Sequence, residues 1–241
     1  MKAVLFDCDG TIADSASLIC TIMDRSFEAH GLTPPAREST RAIIGLSLDK
    51  AILALRPSLG EADVAALVAG YRHQYRAERA RPDFVEHLFP GMRDLVLELS
   101  AQDEVFVGMV TGKSRRGVAA ITAAHGLTDA FTIIRTADDC PSKPHPAMVL
   151  ECCAEVGVAP ADAIVVGDTT FDMEMARTAG SAALGVAWGS HHREQLERSG
   201  AQAVATDVPE LRQALAAFIE GGWGIRGTGL DTAPTTAKTW S

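Results

Sequence analysis

The chain has 241 residues, 47% of them hydrophobic and 22% charged, and a formal net charge of −9 at pH 7. This composition is typical of a globular protein, and the acidic balance argues against nucleic acid or an anionic membrane surface as a partner. No apolar stretch reaches the ~18 residues that a membrane-spanning helix needs, and the N-terminus has no secretory pattern, so we expect a cytoplasmic protein.

The chain opens with an apolar run at residues 2–6 that stops at Asp7-Cys8-Asp9-Gly10-Thr11. This pattern predicts a buried strand followed by a turn. Between residues 15 and 89 apolar side chains recur at helical spacing, and no strand is predicted. We interpret this stretch as an all-helical cap domain that is inserted after the first strand.

From residue 90 onward, predicted helices and strands alternate, which is typical of a parallel sheet covered by helices on both faces. We therefore predict an α/β, Rossmann-like core formed by residues 1–14 and 90–220, followed by a flexible tail at 221–241. The predicted core elements after the cap are helix 92–100, strand 105–110, helix 115–125, strand 132–135, helix 146–156, strand 163–166, helix 171–179, strand 182–187, helix 192–198, segment 201–205 and helix 210–219.

Polar side chains follow several of these predicted strands. Ligands of an open parallel sheet bind beyond the carboxyl ends of its strands, so these residues should meet at one edge. Crowded carboxylates repel one another unless a hard cation neutralises them, and Mg²⁺ prefers oxygen ligands of this kind. The residues are Asp7, Asp9, Thr111, Gly112, Lys143, Asp168 and Asp172.

The same set suits phosphoryl transfer, in which catalysis is mostly positioning and charge stabilisation. One carboxylate can attack phosphorus, and a second can give a proton to the leaving oxygen and later take one from water. Lys143 and the hydroxyl of Thr111 can hold the phosphoryl oxygens.

Four short motifs, in this order, resemble those of the haloacid-dehalogenase superfamily, with a helical cap after the first. They are Asp7-Cys8-Asp9-Gly10-Thr11, Val110-Thr111-Gly112, Lys143-Pro144 and Gly167-Asp168-Thr169-Thr170-Phe171-Asp172. Within the superfamily the chain is most similar to phosphoglycolate phosphatases. One departure is Gly112, where Asn is frequent; it leaves the backbone N–H free to approach a phosphate oxygen.

The resemblance implies a magnesium-dependent phosphatase of a small phosphorylated metabolite, with Asp7 as nucleophile and Asp9 as general acid and base. It places Mg²⁺ on Asp7, the backbone carbonyl of Asp9 and Asp168, with Asp172 supporting the site. The substrate phosphate would contact Thr111, Gly112 and Lys143. We expect a monomer or a homodimer.

Several alternatives stay open at this point. A β-phosphoglucomutase-like isomerase or a pyrophosphatase would share the four motifs, and a non-enzymatic receiver-like phosphoacceptor would also gather carboxylates, a Thr and a Lys. Gly112-Lys113-Ser114 resembles the end of a P-loop, but Gly108 stands one residue too close for that motif. We expect His191 and His192 to be solvated surface residues.

Overall fold

The computed structural model describes residues 1–223, and the predicted tail lies mostly outside this range. Its centre is a six-stranded parallel sheet with the order β3-β2-β1-β4-β5-β6. The strands are β1 (Lys2–Phe6), β2 (Val105–Thr111), β3 (Ile133–Thr136), β4 (Ala163–Gly167), β5 (Ala182–Val186) and β6 (Ala203–Ala205). The helices are α1 (Ala16–Ala29), α2 (Arg37–Arg41), α3 (Leu48–Leu55), α4 (Glu61–Arg79), α5 (Met92–Ser100), α6 (Arg115–Ala124), α7 (Ala147–Val156), α8 (Thr170–Ala179), α9 (Arg193–Arg198) and α10 (Val208–Ile219).

Strand alternation divides the core residues of the sheet between its two faces. In β1, Val4 and Phe6 join an apolar cluster with α5, α6 and α10, whereas Ala3 and Leu5 join a second cluster with α7, α8 and α9. The central strands are buried on both sides, because side chains at successive positions point to opposite faces. The predicted α/β class with helices on both faces is therefore confirmed.

The strand order reverses at β1, which lies between β2 and β4. Phe6 is paired with Val166 on one side and with Met109 on the other. The residue after β1 consequently lies beside the ends of β2 and β4, at the position where open α/β sheets bind ligands. This register determines which loops can reach Asp7.

Helices α1 to α4 form a block with a small apolar core of its own. Met23 and Phe27 of α1 pack there with Ile52 of α3 and Leu67 of α4. The chain segments that enter and leave this block run side by side, since Asp14 N–H donates to His87 O at 2.9 Å and Phe89 N–H donates to Ile12 O at 2.9 Å. The division into domains at residues 14, 89 and 220 stays a prediction.

The predicted element boundaries lie within two residues of the observed ones, and those of β1 and α5 are identical. The third strand, predicted at 132–135, is observed at Ile133–Thr136, and the last strand is shorter than the predicted segment 201–205. Among the helices of residues 1–223, none combines the length and the apolar character that crossing a bilayer requires.

Candidate active site

The sequence-predicted site residues meet beyond the carboxyl ends of β1, β2 and β4. Asp7 follows β1, Thr111 ends β2 and Asp168 follows β4, while Lys143 lies in the loop between β3 and α7. All of them except Gly112, which is half-buried, are buried. Charged side chains are seldom buried without partners. Asp7, Thr111, Asp168 and Asp172 are 0% exposed, Lys143 is 2% exposed and Asp9 is 9% exposed.

Three of the carboxylates form a compact buried cluster. Oxygen atoms of Asp7, Asp168 and Asp172 lie within 4.8 Å of one another. Burial raises the pKa of Asp7 to about 8, with Lys143 opposing the rise and the neighbouring carboxylates adding to it. Burial and the charge of Asp172 together raise the pKa of Asp168 to about 7. Carboxylates left at this distance without a cation favour their protonated forms.

Lys143 is held between two of these acids. Its Nζ lies 2.7 Å from Asp7 Oδ1 and donates a hydrogen bond of 2.7 Å to Asp172 Oδ1. The other oxygen of Asp172 accepts from the Thr169 N–H at 3.1 Å and from the Thr169 hydroxyl at 2.6 Å. Asp172 is thus both the capping-box residue of α8 and the anchor of Lys143.

Backbone and hydroxyl donors orient Asp168. Thr11 Oγ1 donates to Oδ1 at 3.0 Å, and Ser190 N–H donates to Oδ2 at 2.7 Å. Gly10 has φ +85° in the turn after β1, and a Cβ at this position would lie 2.1 Å from Asp168 Oδ2. The glycine of the first motif therefore provides both the turn and the space that lets Asp168 approach Asp7.

The donor set fits a hard divalent cation. Although Lys143 lies at ion-pair distance, neither Asp7 oxygen accepts a well-aligned hydrogen bond from residues 1–223. Buried carboxylate oxygens are normally satisfied, so these atoms have coordination capacity to spare. A cluster with only oxygen ligands favours Mg²⁺ or a similar ion over metals that prefer nitrogen or sulfur. Asp7 and Asp168 would hold it, next to Asp172.

Asp9 lies in a separate polar network. Its Oδ1 accepts from Lys113 Nζ at 2.8 Å and from the Ser15 hydroxyl at 2.7 Å. Burial alone would raise the pKa of Asp9, but Lys113 and Ser15 outweigh it, and that pKa is lowered. Lys113 also donates to Glu86 Oε1 at 2.7 Å, and the Tyr75 hydroxyl donates to the same oxygen at 2.9 Å.

A cleft of about 860 Å³ opens between this site and the helical block. Asp7, Asp9 and Thr111 line it, together with apolar side chains of the block such as Ile43 and Val68. Four arginines also line the cleft: Arg72, Arg76, Arg79 and Arg116.

The loop between α2 and α3 lies directly over the site. A Cβ on Gly112 would be 2.6 Å from the carbonyl oxygens of both Gly45 and Leu46. Ser47 N–H donates to Ser142 Oγ at 2.8 Å, next to Lys143. Because Gly112 has no side chain, the backbone of this loop can contact the end of β2 directly. Whether Gly112 also contacts phosphate stays a prediction.

Sequence reasoning missed or misplaced some residues near the site. The surface assignment of His191 is wrong: the ring is buried, Nδ1 accepts from Thr170 N–H at 3.0 Å, and Nε2 lies 3.3 Å from Ala42 O. His192 is exposed, as expected. Lys113, which the sequence suggested only as part of a P-loop, is a half-buried partner of Asp9, and its position directly after β2 is the signal that points to this role. Glu86 lies in a segment without helix or strand, and no sequence pattern points to its contact with Lys113.

Comparisons with known proteins give matches over most of the chain. Residues 4–186 match the family model described as haloacid dehalogenase-like hydrolase. The chain is 34% identical over 221 residues to a Dickeya dadantii protein named probable phosphatase IndB, covering 90% of this chain and 94% of that protein. It is 33% identical over 218 residues to the phosphoglycolate phosphatase of Chromobacterium violaceum, covering 88% and 95%. A haloacid dehalogenase-like family hydrolase from Streptococcus pneumoniae superposes with a TM-score of 0.76 at 26% identity, over 90% of this chain and 98% of that one.

Proposed function

Because the chain belongs to the haloacid dehalogenase-like hydrolases, we propose that it is a magnesium-dependent phosphatase of small phosphomonoesters that works through phosphorylation of Asp7. The observation that carries the proposal is the buried cluster of Asp7, Asp168 and Asp172 with Lys143 bound to it. Membership in a family of hydrolases does not support the alternative of a non-enzymatic, receiver-like phosphoacceptor.

In the first step Asp7 attacks phosphorus and the bond to the leaving oxygen breaks. Bound Mg²⁺ would supply positive charge next to the phosphoryl oxygens. Lys143 lies 2.7 Å from Asp7 Oδ1 and can stabilise the same oxygens, together with the Thr111 hydroxyl. The protonated form of Asp9, a minor one because Lys113 and Ser15 lower its pKa, gives its proton to the leaving oxygen, which then departs as an alcohol.

In the second step water attacks phosphorus, and the bond between phosphorus and Asp7 breaks. Asp9 is now ionised and accepts a proton from this water, which restores the starting state of both carboxyl groups. The loop at residues 42–47 and the helical block would limit the access of bulk water while phosphorus is attacked.

We propose 2-phosphoglycolate as the first substrate to test, because a relative at 33% identity carries the name phosphoglycolate phosphatase. The carboxylate of 2-phosphoglycolate would need a positively charged partner, and the arginines that line the cleft can provide it. The cleft of about 860 Å³ also has room for larger esters. The alternatives of a mutase or a pyrophosphatase of the same fold are tested with the set of substrates given next.

The test is phosphate release from 2-phosphoglycolate, p-nitrophenyl phosphate, β-glucose 1-phosphate and pyrophosphate, with Mg²⁺ and with EDTA. We expect magnesium-dependent release from at least one phosphomonoester and none from Asp7→Asn, which should still fold. A mutase would convert β-glucose 1-phosphate with little free phosphate. Absence of phosphate release from every substrate would refute the proposal.

A further inference from the structure

We propose that Lys113 is a positioning residue for Asp9: it anchors Oδ1 of the carboxyl group so that Oδ2 faces the cleft and is the atom that exchanges a proton with the leaving oxygen and with water. This inference rests on the proposed function, because it concerns the proton transfers assigned there to Asp9. Nothing in the four motifs assigns a role to Lys113.

The two oxygens of Asp9 have different surroundings. Lys113 Nζ at 2.8 Å and the Ser15 hydroxyl at 2.7 Å both donate to Oδ1. Among residues 1–223, no hydrogen bond reaches Oδ2, while the Asp9 side chain is 12% exposed and lines the cleft. An oxygen that already accepts two hydrogen bonds is poorly placed to exchange a proton with substrate, so Oδ2 is the free atom.

Lys113 is itself firmly held. Its side chain is 7% exposed, and its ammonium donates to Glu86 Oε1 at 2.7 Å as well as to Asp9. The Tyr75 hydroxyl of α4 donates to the same Glu86 oxygen, and the ammonium lies 5.5 Å from the centre of the Tyr75 ring. Two carboxylates and an aromatic ring thus fix one ammonium group.

The local sequence provides space for this lysine. A Cβ on Gly117 would lie 2.9 Å from Lys113 Cγ, so the glycine in the first turn of α6 leaves room for the lysine stem. Because Tyr75 and Glu86 come from α4 and from the segment that leaves the helical block, the anchor also ties Asp9 to that block.

The consequence concerns how the proton moves. In the first step the Oδ2–H bond breaks and a bond from hydrogen to the leaving oxygen forms; in the second step a water O–H bond breaks and Oδ2–H forms again. Without Lys113 the carboxyl group can rotate, and Oδ2 is no longer held toward the leaving oxygen. Misplacement of a proton donor affects a poor leaving group far more than one that departs without protonation.

The experiment compares kcat/KM for an alkyl phosphate and for 2,4-dinitrophenyl phosphate, since kcat/KM reports only the steps through departure of the leaving group. We expect Asp9→Asn to lower the alkyl-to-dinitrophenyl ratio of kcat/KM by about 100-fold or more, and Lys113→Met to lower it by at least about tenfold. Lys2→Met is the matched control, because Lys2 forms a remote ion pair of 2.7 Å with Asp162 and should leave the ratio unchanged.

A double mutant tests whether Lys113 acts through Asp9. In the Asp9→Asn background, Lys113→Met should change the ratio by less than about twofold. If Lys113→Met does not fold, the Lys113→Met, Glu86→Gln double mutant, which removes both charges, is compared with Glu86→Gln alone, and the same tenfold loss is expected.

The outcomes separate this inference from the proposed function. A wild-type ratio retained in Lys113→Met, alongside a reduced ratio in Asp9→Asn, would overturn only the role of Lys113. An Asp9→Asn variant with an unchanged ratio would overturn the acid role of Asp9 and the inference with it. An inactive wild-type protein would refute the proposed function itself.

Discussion

Substitution of Gly112 by alanine gives a sharp test of the loop that covers the site. The added Cβ would lie 2.6 Å from the carbonyl oxygens of Gly45 and Leu46, where ordinary contact begins at 3.4 Å. The loop and the end of β2 must therefore separate by about 0.8 Å, which is 3.4 minus 2.6. Both contacting atoms belong to the backbone, so no side-chain rotation can relieve the clash.

The size of the effect follows from where the loop can move. Overpacking in a closed core lowers the free energy of unfolding by about 1–3 kcal/mol. Because this loop lies at the surface and can move away, we expect a loss of about 1 kcal/mol for Gly112→Ala. Withdrawal displaces Ser47, whose N–H binds Ser142 next to Lys143. A displacement approaching 1 Å near reacting groups lowers turnover by about 10- to 100-fold, so activity should fall much more than stability.

The assay combines urea unfolding with kcat/KM for the best phosphomonoester. Gly60→Ala is the control, because Gly60 has φ −73° and a Cβ there would meet only Asp63 Oδ2 at 3.8 Å. If Gly112→Ala has the same kcat/KM as Gly60→Ala, the contact between the loop and β2 is not part of the active arrangement, and the reasoning fails.

Two further predictions concern stability. His191→Ala should lower the free energy of unfolding by about 1–3 kcal/mol, because it leaves the Thr170 N–H without its acceptor and removes the contact with Ala42. Substitution of the exposed neighbour, His192→Ala, should change the free energy of unfolding by less than about 0.5 kcal/mol. Equal values for the two variants in urea unfolding would contradict this prediction. In EDTA, the folded protein holds protons on Asp7, with a pKa of about 8, and on Asp168, with a pKa of about 7, whereas in the unfolded chain both have a pKa of 3.8. The free energy of unfolding should therefore fall as pH rises from about 4 to about 8. Mg²⁺ should therefore raise Tm more at about pH 8.5 than at about pH 5.5, and an equal or smaller rise at the higher pH would refute this.

The sequence predicted the sheet well because its signals are local. The apolar run before Asp7 and the alternation after residue 90 depend only on neighbouring residues, and parallel strands place their carboxyl ends at one edge. The convergence of Asp7, Asp168 and Lys143 follows from that rule, and the geometry brings them together as expected.

The contacts that were not predicted depend on how distant segments pack. Lys113 meets Glu86 only because the segment leaving the helical block returns past β2, and no local pattern encodes that path. His191 is buried by the loop at Ala42, which lies 149 residues away in the chain. The clearance at Gly112 likewise depends on a loop that has no motif of its own.

The most direct test of the central claim is to find the phosphoryl group on the protein during turnover. A ³²P-labelled phosphomonoester is mixed with the enzyme and Mg²⁺ and quenched in acid within milliseconds, and the labelled peptide is identified after proteolysis. We predict label on Asp7 of the wild-type protein and none on Asp7→Asn. Label on another residue, or rapid phosphate release with no protein-bound label at any time, would contradict the assignment of Asp7 as nucleophile.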